Sequence, residues 1–225
     1  MKKVSARTAP PAVPRKQRGR PRGFDREQAL ESAMEVFWKK GFESTSLADL
    51  TEAMGINPPS LYAAFGDKEQ LFLEAVERYA TRRGETCLYC EEPTARSAVE
   101  KLLTYMAAEL TSSEHPRGCM MVMAAATSAG SSQKLQAALT ARRMAGRARL
   151  KARIEHGIKE GDVPAGTDAG ALADFYSTIM TGMSLRARDG ATRKSLMGTV
   201  ETAMRAWPEK AMPSAGRARR AVVAA

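Results

Sequence analysis

Cys87-Leu88-Tyr89-Cys90 and, further along, His115-Pro116-Arg117-Gly118-Cys119 hold the chemically most versatile side chains of this sequence. Four soft or borderline ligands of these types can hold zinc or copper, and a C-x-x-C pair can also cycle between dithiol and disulfide. The spacing between the two groups matches no metal motif, and three cysteines, an odd number, make no disulfide framework. Cysteines acting as small apolar residues account for the pattern more simply, so no metal and no cofactor is expected. The two histidines, His115 and His156, are equally thin material for catalysis. No phosphate-cradling glycine loop, nucleophile elbow or metal-hydrolase helix accompanies them, which argues against an enzyme.

A second kind of chemistry is written in the charge. The chain of 225 residues carries a net charge of +10, but unevenly. Residues 1–23 hold Lys2, Lys3, Arg7, Arg15, Lys16, Arg18, Arg20 and Arg22 and no acid. Residues 205–225 hold five basic residues against Glu209, which leaves the body mildly acidic. Basic arms on an acidic body suit the tracking of a polyanion and argue against a generally sticky DNA-packaging protein. Residues 1–23 have no apolar stretch of the secretory kind, and no run is long enough to span a bilayer. The expected compartment is the cytoplasm of a bacterium.

The elements that would present this chemistry are helices. Hydrophobic residues make up 44% of the chain, only 6% is aromatic, and strand-like alternation is absent. Asp25 opens the first helix as an N-cap, Leu30, Ala33, Met34 and Phe37 recur at helical spacing, and Gly41 closes it. Ser44-Thr45-Ser46 can cap a short second helix carrying Leu47, Leu50 and Met54. After Gly55, Asn57 can cap a third, very short helix with Pro58 where a missing N–H costs nothing. Asp67 opens a fourth that runs to about Arg83. Further helices are expected near 94–112, 118–129, 132–160, 168–187 and 192–207.

Two short helices joined by Met54-Gly55-Ile56-Asn57 have the spacing of a helix-turn-helix. Leu50, Met54, Ile56 and Leu61 would hold the pair against the first helix. Pro58, Pro59, Ser60, Tyr62 and Ala63 would then face outward, small enough to enter a major groove, with the helix N-terminus offering amides to phosphate.

The run G-F-E-S-T-S-L-A-D-L-T-E-A-M-G-I-N-P-P-S-L-Y-A-A-F-G-D-K-E-Q-L-F, residues 41–72, resembles the N-terminal domain of the TetR family of transcriptional regulators. The resemblance extends over residues 25–83, and it implies several roles. Thr45 and Ser46 would contact phosphate, Pro58, Pro59 and Ser60 would face the bases, and Tyr62 and Lys68 would contact phosphate again. Because Pro58-Pro59 removes two backbone donors, direct readout would rest on few bonds plus methyl contacts and DNA shape. Arg18, Arg20 and Arg22, just before the first helix, are placed to enter the adjacent minor groove. The architecture implied is all-α: a basic arm (1–23), a three-helix helix-turn-helix domain (24–83), a helical effector-binding and dimerisation domain (84–207) and a loose basic tail (208–225).

The same resemblance implies a homodimer on a double-stranded DNA operator, usually a repressor released by a small-molecule effector. Leu172, Tyr176, Met180, Leu196, Val200, Ala203 and Trp207 lie on apolar faces of the last two helices and are candidates for the dimer contact, with Gly182 allowing close approach. Leu103, Met106, Cys119, Met120, Met121, Met123, Phe175, Ile179 and Met183 are candidates for the effector pocket, a Met-rich wall suited to varied apolar ligands. The stretch H-P-R-G-C-M-M-V resembles a subgroup in which G-C opens the sixth helix. There Cys119, with Cys87, Cys90 and His115, would make a thiol- or metal-responsive sensor.

Overall fold

The computed structural model describes residues 23–82, 92–127 and 130–209. Among these residues it contains nine α-helices and no strand. They are α1 (Arg26–Lys40), α2 (Leu47–Met54), α3 (Pro58–Phe65), α4 (Lys68–Arg82), α5 (Ala95–Glu109), α6 (Met120–Thr127), α7 (Gln133–Glu160), α8 (Ala169–Arg188) and α9 (Arg193–Met204). The expected helices are all present. The last is shorter than its apolar pattern, which runs on through a turn to a buried Trp207.

Local chemistry sets the boundaries of the first four. Asp25 accepts from the amides of Glu27 and Gln28, so α1 starts with its first donors satisfied. At α2 the cap is Ser46, in a reciprocal capping box with Asp49. Gly55 then adopts φ 64°, ψ 31°, a left-handed turn that reverses the chain between α2 and α3 without the penalty of a Cβ. Leu50 and Leu61, both completely buried, bring these helices into the same core as Met34 and Phe37 of α1. Phe37, Phe42 and Phe72 form an aromatic cluster behind them, with ring centroids 4.9 to 6.3 Å apart. Arg26 ties the unit together, donating to the Ala64 carbonyl and to Glu74 while lying 4.4 Å from the centre of the Phe65 ring.

The remaining helices build a second layer around α5, α7, α8 and α9, with Leu103, Leu135, Ile154, Tyr176 and Leu196 inside. One close approach fixes its geometry. A Cβ on Gly157 of α7 would lie 2.7 Å from the Ala95 Cβ and 2.9 Å from Val163 Cγ2, so only glycine fits there. The turn that follows places Asp162 to accept from the Ala95 amide at 2.6 Å, satisfying the start of α5 from a distant segment.

The two layers are joined by directed bonds. Trp38 of α1 donates from its indole to the Gly118 carbonyl (3.1 Å) and stacks on His115 at 4.6 Å. Tyr79 of α4 donates to Cys119 Sγ at 3.3 Å, while the Cys119 amide donates to Ser184 of α8. Arg188, at the end of α8, donates to the carbonyls of Trp38 and Lys39 at the end of α1. The last carbonyls of α1, which have no partner within their own helix, thus meet a cation from the other layer.

Candidate nucleic-acid interface and ligand cavity

α3 stands on the outside of the first layer. Its inner side is sealed by Leu61 and Phe65, whereas Pro58, Pro59, Tyr62 and Ala63 are exposed and Ser60 is half-buried. Tyr62, half exposed, projects beside the helix. The outward set expected from the sequence is therefore together on one face.

Two expectations need correction. The N-terminus of α3 offers no amides to a phosphate: Pro58 and Pro59 have none, and the Ser60 amide is taken by Asn57 Oδ1 at 2.9 Å. The starts of α2 and α4 are better supplied. The amides of Leu47 and Ala48, and those of Lys68 and Glu69, precede the first capped donor of each helix. Thr45 is the second correction. It is 1% exposed and donates its hydroxyl to the Gly41 carbonyl at 2.6 Å. It braces the turn before α2 and is closed to a ligand. Ser46 remains exposed, with its hydroxyl bonded to Asp49.

Asp49 is held well below the usual carboxylate range, at about 2, chiefly by its bond from Lys40 and then by bonds from Ser46. It stays ionised and fixes both the start of α2 and the Lys40 ammonium. Lys68 lies over the Phe42 ring at 4.5 Å, which orients its ammonium at the start of α4. Arg18, Arg20 and Arg22 lie outside the described residues, as do Cys87 and Cys90. Cys119 is buried, and the described residues contain no group of three or more His, Cys, Asp or Glu that could hold a metal.

A cavity of about 280 Å³ opens in the second layer, between α4, α5, α6, α7 and α8. Its apolar wall is Leu102, Met106, Met121, Val122 and Met180, with Cys119 at one end; Tyr105, Ser177 and Thr181 add hydroxyls. Arg142, Arg143, Arg147 and Arg149 of α7 form the other side. Of the residues expected in an effector pocket, Met106, Cys119 and Met121 line it. Leu103, Met120 and Met183 are shut into the core, while Met123 and Ile179 are partly buried outside its lining. Phe175 is 39% exposed and borders a shallow groove near Pro164 and Pro208. The α7 arginines were not expected, because on a helix this basic each reads as solvated surface; only the fold shows that several share one opening.

The expected dimer residues also need correction. Tyr176, Leu196, Val200, Ala203 and Trp207 are at most 5% exposed and pack α9 onto α8 and α5 within the chain. Tyr176 donates to the Ala203 carbonyl at 3.1 Å. Met180 lines the cavity, and Leu172 borders the shallow groove. Their apolar stripe is the inner face of these helices. The outer face carries Phe175, Thr178, Gly182 and Leu185, at three- and four-residue spacing.

Residues 29–75 match the bacterial regulatory proteins of the tetR family, and residues 96–207 match the tetracyclin repressor-like C-terminal domain. The HTH-type transcriptional repressor ComR of Escherichia coli (strain K12) is 39% identical over 198 residues, 87% of this chain and 94% of that protein. The chain belongs to the TetR family. The HTH-type transcriptional repressor BdcR of the same organism is 31% identical over 82% of this chain and 90% of its own length. The TetR-family regulator CifR, a cysteine mutant complexed with a 26 bp double-strand operator DNA, superposes with a TM-score of 0.81 at 47% identity, over 84% of this chain and all of that one. As a TetR-family member this chain is a DNA-binding transcriptional regulator and not an enzyme. The family acts as dimers on operator DNA and binds small-molecule effectors. No helix among the described residues is long and apolar enough to cross a membrane.

Proposed function

We propose that this TetR-family regulator is a repressor whose two copies place their α3 helices in successive major grooves of a roughly palindromic operator, about 34–36 Å apart, in the bacterial cytoplasm. The observation that carries this reading is the outward face of α3, with Pro58, Pro59 and Tyr62 exposed and Ser60 half-buried, over the buried Leu50 and Leu61. The DNA unit would be residues 24–83, with Ser60 reading a base edge and Tyr62, Lys68, Ser46 and the first amides of α2 and α4 on phosphates. The arm 1–23 would send Arg18, Arg20 and Arg22 into the minor groove. Residues 84–207 would hold the effector in the cavity beside Met106 and Cys119. The dimer would form on the outer face of α8, through Phe175, Thr178, Gly182 and Leu185. A Cβ on Gly182 meets nothing within 4 Å in its own chain, which leaves room for a partner helix. ComR and BdcR are repressors and CifR is seen on operator DNA, which supports the direction of regulation proposed.

Anisotropy titration at stated salt tests the docking. Tyr62→Ala with Lys68→Ala weakens binding to all operator sequences alike, because phosphate contacts carry no base information, and the Lys68 change lowers the salt slope by about 1. Unchanged operator affinity in the double variant would overturn this docking mode. A second reading keeps Cys119 as a sensing thiol, since the residue lines the cavity and its sulfur accepts from Tyr79 of α4. Full induction by the natural effector in Cys119→Ser removes that reading; loss of induction with operator binding intact establishes it.

A further inference from the structure

The cavity's charge pattern identifies the kind of molecule it takes. Its lining contains four arginines and, among the described residues, no carboxylate. Arg147 pairs with Asp174 of α8, and Arg142 with Glu77 of α4, both acids lying outside the lining. Arg143 donates to the hydroxyl of Thr140, a neutral partner, so among the described residues its charge is met by no carboxylate and the opening is cationic there. Behind it lies the apolar wall of Leu102, Met106, Met121 and Val122, and the Ser177 hydroxyl is buried there with no hydrogen-bond partner. An apolar interior with a cationic rim fits a molecule with a hydrocarbon body and one anionic end. A guanidinium meets a carboxylate with two parallel bonds, and that geometry is wasted on a neutral or cationic ligand.

We infer that the effector is an amphipathic organic carboxylate, whose tail fills the cavity and whose carboxylate takes Arg143 and Arg142. This rests on the reading of the cavity as the effector site. The volume of about 280 Å³ lies near the lower end of the range for small-molecule sites, about 300–1,000 Å³, so the ligand is small. The placement also supplies a route to DNA. Arg142 is the partner of Glu77, and Ala80, one turn later on α4, lines the same cavity. A carboxylate that draws Arg142 to itself competes with Glu77 and loosens α7 from α4, the helix that follows α3. An ion pair this exposed adds little stability, so the exchange is accessible to a modest ligand.

The test uses the full-length protein and three probes with one tail and three charges: octanoate, 1-octanol and octylamine, followed by calorimetry and by release of labelled operator. Octanoate is expected to bind about tenfold more tightly than octanol, and octylamine not at all. Arg143→Gln and Arg142→Gln should each weaken octanoate by about tenfold without changing octanol. Glu77→Gln, which removes the competitor, should tighten octanoate. Octanol binding as tightly as octanoate, or octanoate affinity unchanged in both arginine variants, overturns the proposal. Val122→Trp fills the cavity and separates the two readings. If it expels octanol that binds wild type as tightly as octanoate does, the cavity is the effector site and the charge inference has failed. If octanoate still binds the filled variant, both have failed.

Discussion

At the scale of single residues, the interface is economical. Pro58 and Pro59 donate nothing, the Ser60 amide is consumed by Asn57, and Thr45 is turned inward. On the docking proposed above, base recognition would fall to the Ser60 hydroxyl and to methylene and ring contacts, which suits a reader that also depends on DNA shape. Tyr176 shows what burial does to a single group. Enclosed between α8, α9 and Trp207, its phenol is pushed up to about 12 from 10.0, because the phenolate cannot be solvated there. The folded state thus holds the proton more tightly than the unfolded chain. The stability this represents is fully present below pH 10 and is lost as pH rises toward 12. Tyr176→Phe is expected to lose about 0.5–1.5 kcal/mol at neutral pH, for the bond to Ala203. It should fall less steeply than wild type across the alkaline window in urea unfolding; an identical alkaline profile would count against the assignment.

At the scale of elements, α7 is the axis of the second layer. It contributes Leu135, Leu139, Leu150 and Ile154 to the core and four arginines to the cavity. Its far end can approach α5 only because residue 157 has no side chain. Gly157→Ala would drive a methyl into Ala95 and Val163, and such overpacking costs about 1–3 kcal/mol. The expected result is a lower urea midpoint with an unchanged slope. Since α7 carries the cavity's cationic side, effector affinity should fall with it. A midpoint equal to wild type would mean that α5 and α7 can part without cost.

At the scale of the whole molecule, the question is how occupancy of one layer reaches the other. Trp38, Tyr79 and Arg188 make directed bonds between them, and Ser132 at the start of α7 bonds to Glu69 at the start of α4. An effector acts only through a difference in affinity between the operator-bound and released arrangements, and these bonds are where the two arrangements can differ. Trp38→Phe keeps the ring stacked near His115 but removes the donor to Gly118. It is expected to preserve the fold and operator binding in the absence of effector while shifting the effector concentration needed for release by several-fold, since coupling energies run to about 1–3 kcal/mol. An unshifted midpoint would take this bond out of the coupling.

The sequence by itself determined the helices and the DNA-reading unit, because both are local. Asp25, Ser46 and Asn57 cap within three residues of their own positions, Gly55 turns the chain by its own backbone freedom, and the outward residues of α3 follow from a 3.6-residue period over one short helix. The tertiary structure decided which of two apolar faces is inside. On α8, α9 and the turn after it, Tyr176, Leu196, Val200 and Trp207 read as an interface stripe, yet α5 and α9 pack together over this face and bury it, leaving Phe175 and Leu185 outward. It also decided that Thr45 turns toward Gly41, and that a basic stretch of α7 opens onto a cavity. The covered face of α8 and α9 and the opening of α7 depend on residues far apart in the chain, and periodicity along one helix carries no record of its neighbour.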